Sequence, residues 1–188
     1  MRAPLIIHFP FRGLHHAYNR LAPPESLPPI IKVPSAIGNF IISFSLIEGV
    51  IEVGIAKQLG LDPIRASIVT AGLQFKSRAS MLCTLLNLDR KKNADAIKQL
   101  KAVMNRGERN DIVHAAVGIS AERDSITFHR RKVAHEYKAY HRQYSSESLF
   151  LLAGEFTKAA MDLQKALDIS RQEYRDFFHE AHKDASKA

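Results

Sequence analysis

The residue types in one short segment, residues 108–114, are suited to chemistry on a phosphate group. Arg109 carries a planar guanidinium that matches phosphate oxygens, and His114 titrates near neutral pH and can transfer a proton. Asn110 precedes His114 by four residues, so a helix places these two side chains on one face. Arg109 and His114 would lie about 140° apart on a regular helix, so Arg109 must act from the first turn, where unpaired N–H groups attract anions.

An Arg followed by a His at this spacing is not specific by itself in a chain rich in both residues. Four further pairs with similar spacing are Arg2/His8, Arg123/His129, Arg130/His135 and Arg175/His182. The pair of Arg109 and His114 differs in its context, because an Asn follows the Arg, a glycine-containing turn precedes it and helical periodicity flanks it. The alternative is that Arg109 forms a local ion pair and that His114 is a structural histidine.

The segment ERNDIVH at 108–114 resembles the Arg-x(4–6)-His motif of the HEPN superfamily, small helical-bundle proteins of which many are ribonucleases. The resemblance implies a metal-independent endoribonuclease in which the 2′-OH of RNA attacks the phosphate. His114 would transfer a proton and Arg109 would stabilise the charge on the phosphorane. It also implies a homodimer with two motifs at a shared cleft, a role in defence or as a toxin, and a cognate antitoxin. One toxin branch has a regulatory Tyr where this chain has Ala116, so that regulation is not implied.

Other polar residues are predicted to support the same site. Glu48 lies beside an apolar stripe and is predicted to orient Arg109 or His114; the alternative is a Glu that reaches water at the stripe edge. Glu52, one turn further on, is predicted to be solvated. The residues predicted to bind RNA are Lys76, Arg78, Arg130, Arg131 and Lys132, with Tyr137, Tyr140 and Tyr144 nearby for base stacking. The alternative for this basic cluster is a solvated connection.

Several classes of protein are excluded by motifs that the chain lacks. It contains no G-x-G-x-x-G or G-x-x-x-x-G-K-[ST] loop, no H-E-x-x-H, no clustered Cys/His pattern and no G-x-S-x-G element. We therefore predict neither a cofactor nor a metal. The single cysteine, Cys83, fits a core position and a reducing, cytoplasmic location. No stretch approaches 18 uninterrupted apolar residues, so we expect no membrane-spanning helix and no membrane partner.

The net charge of the chain is +8, and the distribution of this charge along the sequence is more informative than its total. Residues 36–106 carry 10 basic and 5 acidic side chains, whereas residues 143–188 carry 6 and 8. A basic body is typical of a surface that meets phosphates, although a soluble basic protein has the same composition. Two further hypotheses stay open: a non-catalytic RNA- or nucleotide-binding module, and a helical assembly protein that dimerises through its C-terminal helix.

The elements that must position these residues are mostly helical. Seven of the eight prolines fall in the first 34 residues, which predicts an extended or disordered arm over 1–35 and a single domain over 36–188. Apolar spacing predicts helices over 37–55, 63–86, 93–107, 108–117 and 146–167. Alternation about a polar turn at 122–125 predicts a β-hairpin. We therefore expect a mainly all-α, HEPN-like helical bundle with a small β-hairpin inserted before a long C-terminal helix.

Overall fold

The computed structural model describes residues 29–106, 112, 115–120, 123–133 and 137–185 of the chain. They form the helices α1 (Pro29–Leu59), α2 (Pro63–Thr70), α3 (Phe75–Asn87), α4 (Ala94–Met104), α5 (Ser146–Ala166) and α6 (Arg171–Ala185). The strands β1 (Ala116–Ser120), β2 (Ser125–Val133) and β3 (Tyr137–Tyr144) lie between α4 and α5. The described part is therefore mainly helical with one small antiparallel sheet, which confirms the coarse fold prediction.

Helix α1 forms the centre of the bundle, with α5 as its main partner and α2, α3 and α6 packed around it. Its buried residues recur every three or four positions: Phe40, Phe44, Ile47, Ile51 and Ile55. The rings of Phe40 and Phe44 contact Phe156 of α5 edge to face, with centroids 5.4 and 5.8 Å apart. Aromatic rings prefer this geometry, and it joins the two longest helices at the core.

The predicted boundary of the N-terminal arm at residue 35 is wrong for the residues that the structure describes. Helix α1 begins at Pro29 and continues through Pro34. Proline is tolerated in a first helical turn because the N–H groups there have no intrahelical partner. Pro34 lies further in and is exposed, while its neighbours Val33 and Ala36 are buried. Burial of these neighbours offsets the one missing backbone hydrogen bond. Residues 1–28 lie outside the described part of the chain.

Length and composition alone would also allow α1 to cross a membrane. The span Ile31–Leu59 contains an 18-residue window with a mean hydropathy of 1.6, and half of that window is buried inside the protein. Small polar residues, glycines and two glutamates interrupt the Ile, Val and Phe positions of α1 without lowering its average hydropathy much, so the helix contains no long uninterrupted apolar run. The core helix of a bundle has the same properties.

The helix predicted over 63–86 is two helices, α2 and α3. The chain turns between them at Gly72, whose φ is +74°, a left-handed conformation that glycine adopts without steric cost. The apolar positions that predicted this helix include Ile64, Ile68, Ala79, Leu82 and Leu86, and the predicted stripe is correct for α3, where the last three are buried. It is wrong for α2, because Ile68 is 70% exposed. Because the chain turns at Gly72, α2 and α3 do not share one helix axis. Apolar positions that would form one stripe on a continuous helix therefore need not face the same side.

The predicted hairpin is present, with Ser120 opposite Ser125 across its turn. The third strand, β3, was not predicted; it pairs antiparallel with β2, so the order is β1-β2-β3. The helix predicted over 108–117 is wrong at its end, because Ala116 and Val117 belong to β1. Pairing with β2 gives the backbone N–H and C=O groups of β1 hydrogen-bond partners, which in the predicted helix would have been other residues of that helix.

The long helix predicted from residue 146 is confirmed as α5. Ser145 caps it, since its side chain accepts a hydrogen bond from the Ser148 N–H at 3.1 Å. A further helix, α6, was not predicted. Ser170 and Glu173 form a reciprocal capping box at its start, a Ser-x-x-Glu signal that is readable in the sequence.

Candidate functional site

Three predicted catalytic residues, Arg109, Asn110 and His114, lie outside the residues that the structure describes. The fourth, Glu48, is half-buried on α1 and has an interaction partner. A half-buried carboxylate fits a position at the edge of the apolar stripe. Its role in orienting Arg109 or His114 stays a prediction.

Residues within and beside the predicted motif segment contact the rest of the protein. Ile112, within the motif segment, is 4% exposed and belongs to the hydrophobic core. The Ala115 N–H donates to the Ile112 carbonyl at 3.5 Å, directly before β1. On the other side, the Arg106 guanidinium donates to the Glu155 carboxylate at 3.0 Å and lies 5.1 Å from the Phe156 ring centroid. Ile112 is therefore part of the core, and Arg106, two residues before the segment, is held against α5.

A basic groove runs along the outer face of α4, and it ends close to the motif in sequence. Its volume is about 460 Å³, and its lining residues are Arg90, Ala94, Ile97, Lys98, Lys101, Ala102 and Asn105. These residues recur at three- and four-residue intervals, as expected for one helical face. Three of them are cations and none carries a carboxylate. We call this surface the α4 groove. Its positive charge suits a phosphate backbone.

The cations of the α4 groove were not among the residues predicted to bind RNA. Lys98 and Lys101 lie on the solvent-facing side of an amphipathic helix, a pattern that most often indicates only a solvated surface. Arg90 lies before the helix, between α3 and α4. Arg90 lines the same groove and lies four residues before Ala94 in the sequence, so it continues the spacing of the α4 face.

The predicted pair of Lys76 and Arg78 on α3 does not form one basic surface. Lys76 is exposed, whereas Arg78 is half-buried and its Nε donates to the Leu73 carbonyl at 3.0 Å. Residues two apart on a helix lie about 200° apart, so these two side chains leave different faces. The hydrogen bond shows that Arg78 stabilises the turn between α2 and α3.

The predicted cluster of Arg130, Arg131 and Lys132 lies in β2, and only the backbone of these residues is described. Successive strand positions alternate between the two faces of a sheet. Positions 130 and 132 have the parity of Phe128, which is buried, and position 131 has the parity of His129, which is exposed. The pleat therefore divides the three positions between two faces.

One of the three tyrosines predicted to stack on bases has a structural role instead. Tyr144 is half-buried and packs edge to face against Phe128, with ring centroids 5.8 Å apart. Its ring therefore packs partly against the core. Cys83, predicted to be a core residue, is half-buried against the core.

Two exposed histidines of the basic hairpin region meet across β2 and β3. His129 and His141 are register partners, and their Nδ1 atoms lie 2.8 Å apart. They are 12 residues apart in sequence, and only the pairing of an unpredicted strand brings them together. Within the described residues, no group of three or more His, Cys, Asp or Glu side chains is placed to hold a metal ion.

The resolved changes in pKa lie on α6, away from the α4 groove residues. Burial raises the pKa of Tyr174 to about 12, and the Glu52 carboxylate adds to this rise. Hydrogen bonds from the Ser170 backbone and side chain lower the pKa of Glu173.

The prediction that Glu52 is solvated is wrong, since it is half-buried and accepts a hydrogen bond from the Ser67 hydroxyl at 3.0 Å.

Comparison of the chain with protein-family models, with curated proteins and with solved structures finds no match.

Proposed function

We propose that this protein is a metal-independent endoribonuclease of HEPN-like type that acts as a homodimer. The observation that carries the proposal is the α4 groove, whose cations Arg90, Lys98 and Lys101 extend to Asn105, four residues before Arg109. A cationic groove that ends four residues before an Arg/His pair in the sequence would supply backbone binding beside the residues that react. Ile112 supports the same proposal, because it lies between Asn110 and His114 in the sequence and is buried in the core.

The proposed reaction needs no metal or cofactor. The ribose 2′ oxygen attacks phosphorus as the bond from phosphorus to the 5′ oxygen breaks, which leaves a 2′,3′-cyclic phosphate. One His114 accepts the proton of the 2′-OH, and the His114 of a second protomer donates a proton to the 5′ oxygen. Arg109 donates to the phosphate oxygens as negative charge develops there, and Asn110 orients His114.

The test is RNA cleavage by the purified full-length chain in EDTA. We expect cleavage that yields cyclic phosphate ends, and we expect a substrate with 2′-deoxyribose at the scissile position to resist. Arg109→Ala and His114→Ala should each lower the rate by about 100-fold or more, as expected for loss of charge stabilisation or of proton transfer. Arg123→Ala and His179→Ala are matched controls at exposed positions and should retain the wild-type rate.

The runner-up function is a non-catalytic RNA- or nucleotide-binding module. The α4 groove favours it as well, because the lining residues include cations but no histidine or carboxylate that could transfer a proton. Binding without cleavage, weakened by loss of Lys98 and Lys101 but not of His114, would favour this function over the ribonuclease. A dimer that neither binds nor cleaves RNA would contradict both proposals and favour an assembly protein.

A further inference from the structure

The pair of His129 and His141 lies on the solvent-facing side of the sheet, and neither residue lines the α4 groove. Both side chains are exposed, and their rings meet with centroids 4.9 Å apart and planes at 78°. Their strands are hydrogen-bonded neighbours, so the backbone register holds the two rings side by side. Two imidazole nitrogen atoms, joined by a hydrogen bond in the metal-free protein, therefore lie side by side on the surface of the sheet.

The distance between these nitrogen atoms matches a particular metal geometry. Imidazole nitrogen binds late transition metals at about 2.0 Å. Two such bonds at a right angle place the nitrogens about 2.8 Å apart, and a tetrahedral angle places them about 3.3 Å apart. The observed Nδ1 to Nδ1 distance is 2.8 Å. It fits neighbouring corners of a square-planar or tetragonal site, which is the geometry that Cu²⁺ and Ni²⁺ prefer.

The surroundings of the pair leave room for further ligands. A Cβ on Gly118 would lie 3.4 Å from His129 Nε2, so the imidazole ring reaches over Gly118 while its Nδ1 faces His141. Ala116, the register partner of His129, is exposed, and Ala139 on β3 is exposed as well. Small side chains on both neighbouring strands leave the nitrogen atoms open to solvent, so water can complete a coordination sphere.

We propose that His129 and His141 form a two-imidazole chelate for a divalent late transition-metal ion, with Cu²⁺ as the best fit. In the metal-free protein one Nδ1–H donates to the other Nδ1. On binding, both neutral rings coordinate through Nδ1 and carry their proton on Nε2. The proposal is independent of the ribonuclease, because the 2.8 Å separation leaves no space for a phosphate between the rings.

The chelate is tested with the full-length chain and Cu²⁺ at pH 7.5, in a buffer that does not bind copper. Electron paramagnetic resonance should show a tetragonal spectrum with coupling to two nitrogen atoms, and calorimetry should show one tight equivalent. His129→Ala and His141→Ala should each weaken that equivalent at least tenfold and reduce the coupling to one nitrogen. His179→Ala, an exposed histidine on α6, should leave both readouts unchanged.

The results separate the chelate from general copper binding by surface histidines. Because both histidines are exposed, we expect the variants to have the wild-type unfolding temperature, which confirms that lost binding is local. Absence of a tight equivalent in the wild-type chain would overturn the proposal. Retention of that equivalent in either variant, or equal weakening by His179→Ala, would overturn it too. None of these outcomes depends on RNA cleavage.

Discussion

The phenol ring of Tyr174 on α6 lies directly against Gly49 on α1. A Cβ at position 49 would overlap the Tyr174 hydroxyl and would lie 3.1 Å from Tyr174 Cζ and 3.2 Å from Phe178 Cζ. Glycine is therefore required here by the close approach of two helices, although it weakens an isolated helix. This contact joins α6, which the sequence patterns did not predict, to the central helix of the bundle.

The first prediction concerns this contact. Gly49→Ala should lower the free energy of unfolding by about 1–3 kcal/mol, because the added methyl group forces the α6 aromatic rings away from α1. Urea denaturation measures the change. Gly154→Ala is the matched control, since a Cβ at this exposed position of α5 meets no atom within 4 Å. The control should raise stability by about 0.5–1 kcal/mol.

A double variant isolates the atoms responsible. Adding Tyr174→Phe to Gly49→Ala removes the hydroxyl that overlaps most with the new methyl group, so it should restore part of the lost stability. If the two substitutions have strictly additive effects, the hydroxyl is not in contact with position 49.

The second prediction concerns alkaline pH. The ordinary pKa of Tyr174 is 10.0, and burial raises it to about 12. Between these values the unfolded chain loses the tyrosine proton while the folded chain retains it, so stability falls as pH rises through this window. The loss should approach roughly 2 kcal/mol by pH 12. Denaturation curves from pH 8 to 12 measure it, and Tyr174→Phe should show a smaller loss across the same range.

The third prediction distinguishes the two interactions of Arg106. Its guanidinium pairs with Glu155 and also lies over the Phe156 ring. Arg106→Ala removes both contacts and should cost about 1–2 kcal/mol, whereas Glu155→Ala removes only a partly exposed ion pair and should cost under about 1 kcal/mol. Thermal unfolding of the two variants measures the difference. Equal losses would mean that the ring contributes nothing.

The fourth prediction concerns RNA binding by the α4 groove. The double variant Lys98→Ala/Lys101→Ala should weaken binding to single-stranded RNA and reduce the slope of log K against log salt by roughly 1.4, the value for two lost phosphate contacts. Fluorescence anisotropy at several salt concentrations measures it. Lys158→Ala on the exposed face of α5 is the control. An unchanged slope would show that RNA does not contact the groove.

The helices that were predicted correctly have their signals within a single segment. Helix α5 has a capping serine, Ser145, and an apolar stripe along its whole length, so its start and its buried face are both encoded locally. The same holds for the interior of α1 and for the β1–β2 hairpin. Strand β3 lacks such a signal, because its tyrosines at 137, 140 and 144 do not alternate with a period of two and its partner, β2, is a separate segment.

The sequence by itself determined the helical class, the hairpin, the core positions of α1, α3 and α5, and the motif hypothesis at Arg109 and His114. These features depend on residue type and on spacing within one element. The tertiary structure alone decided which histidines meet on the sheet. That contact depends on which strands lie side by side, and neighbours in space are set by packing and strand pairing rather than by spacing along the chain.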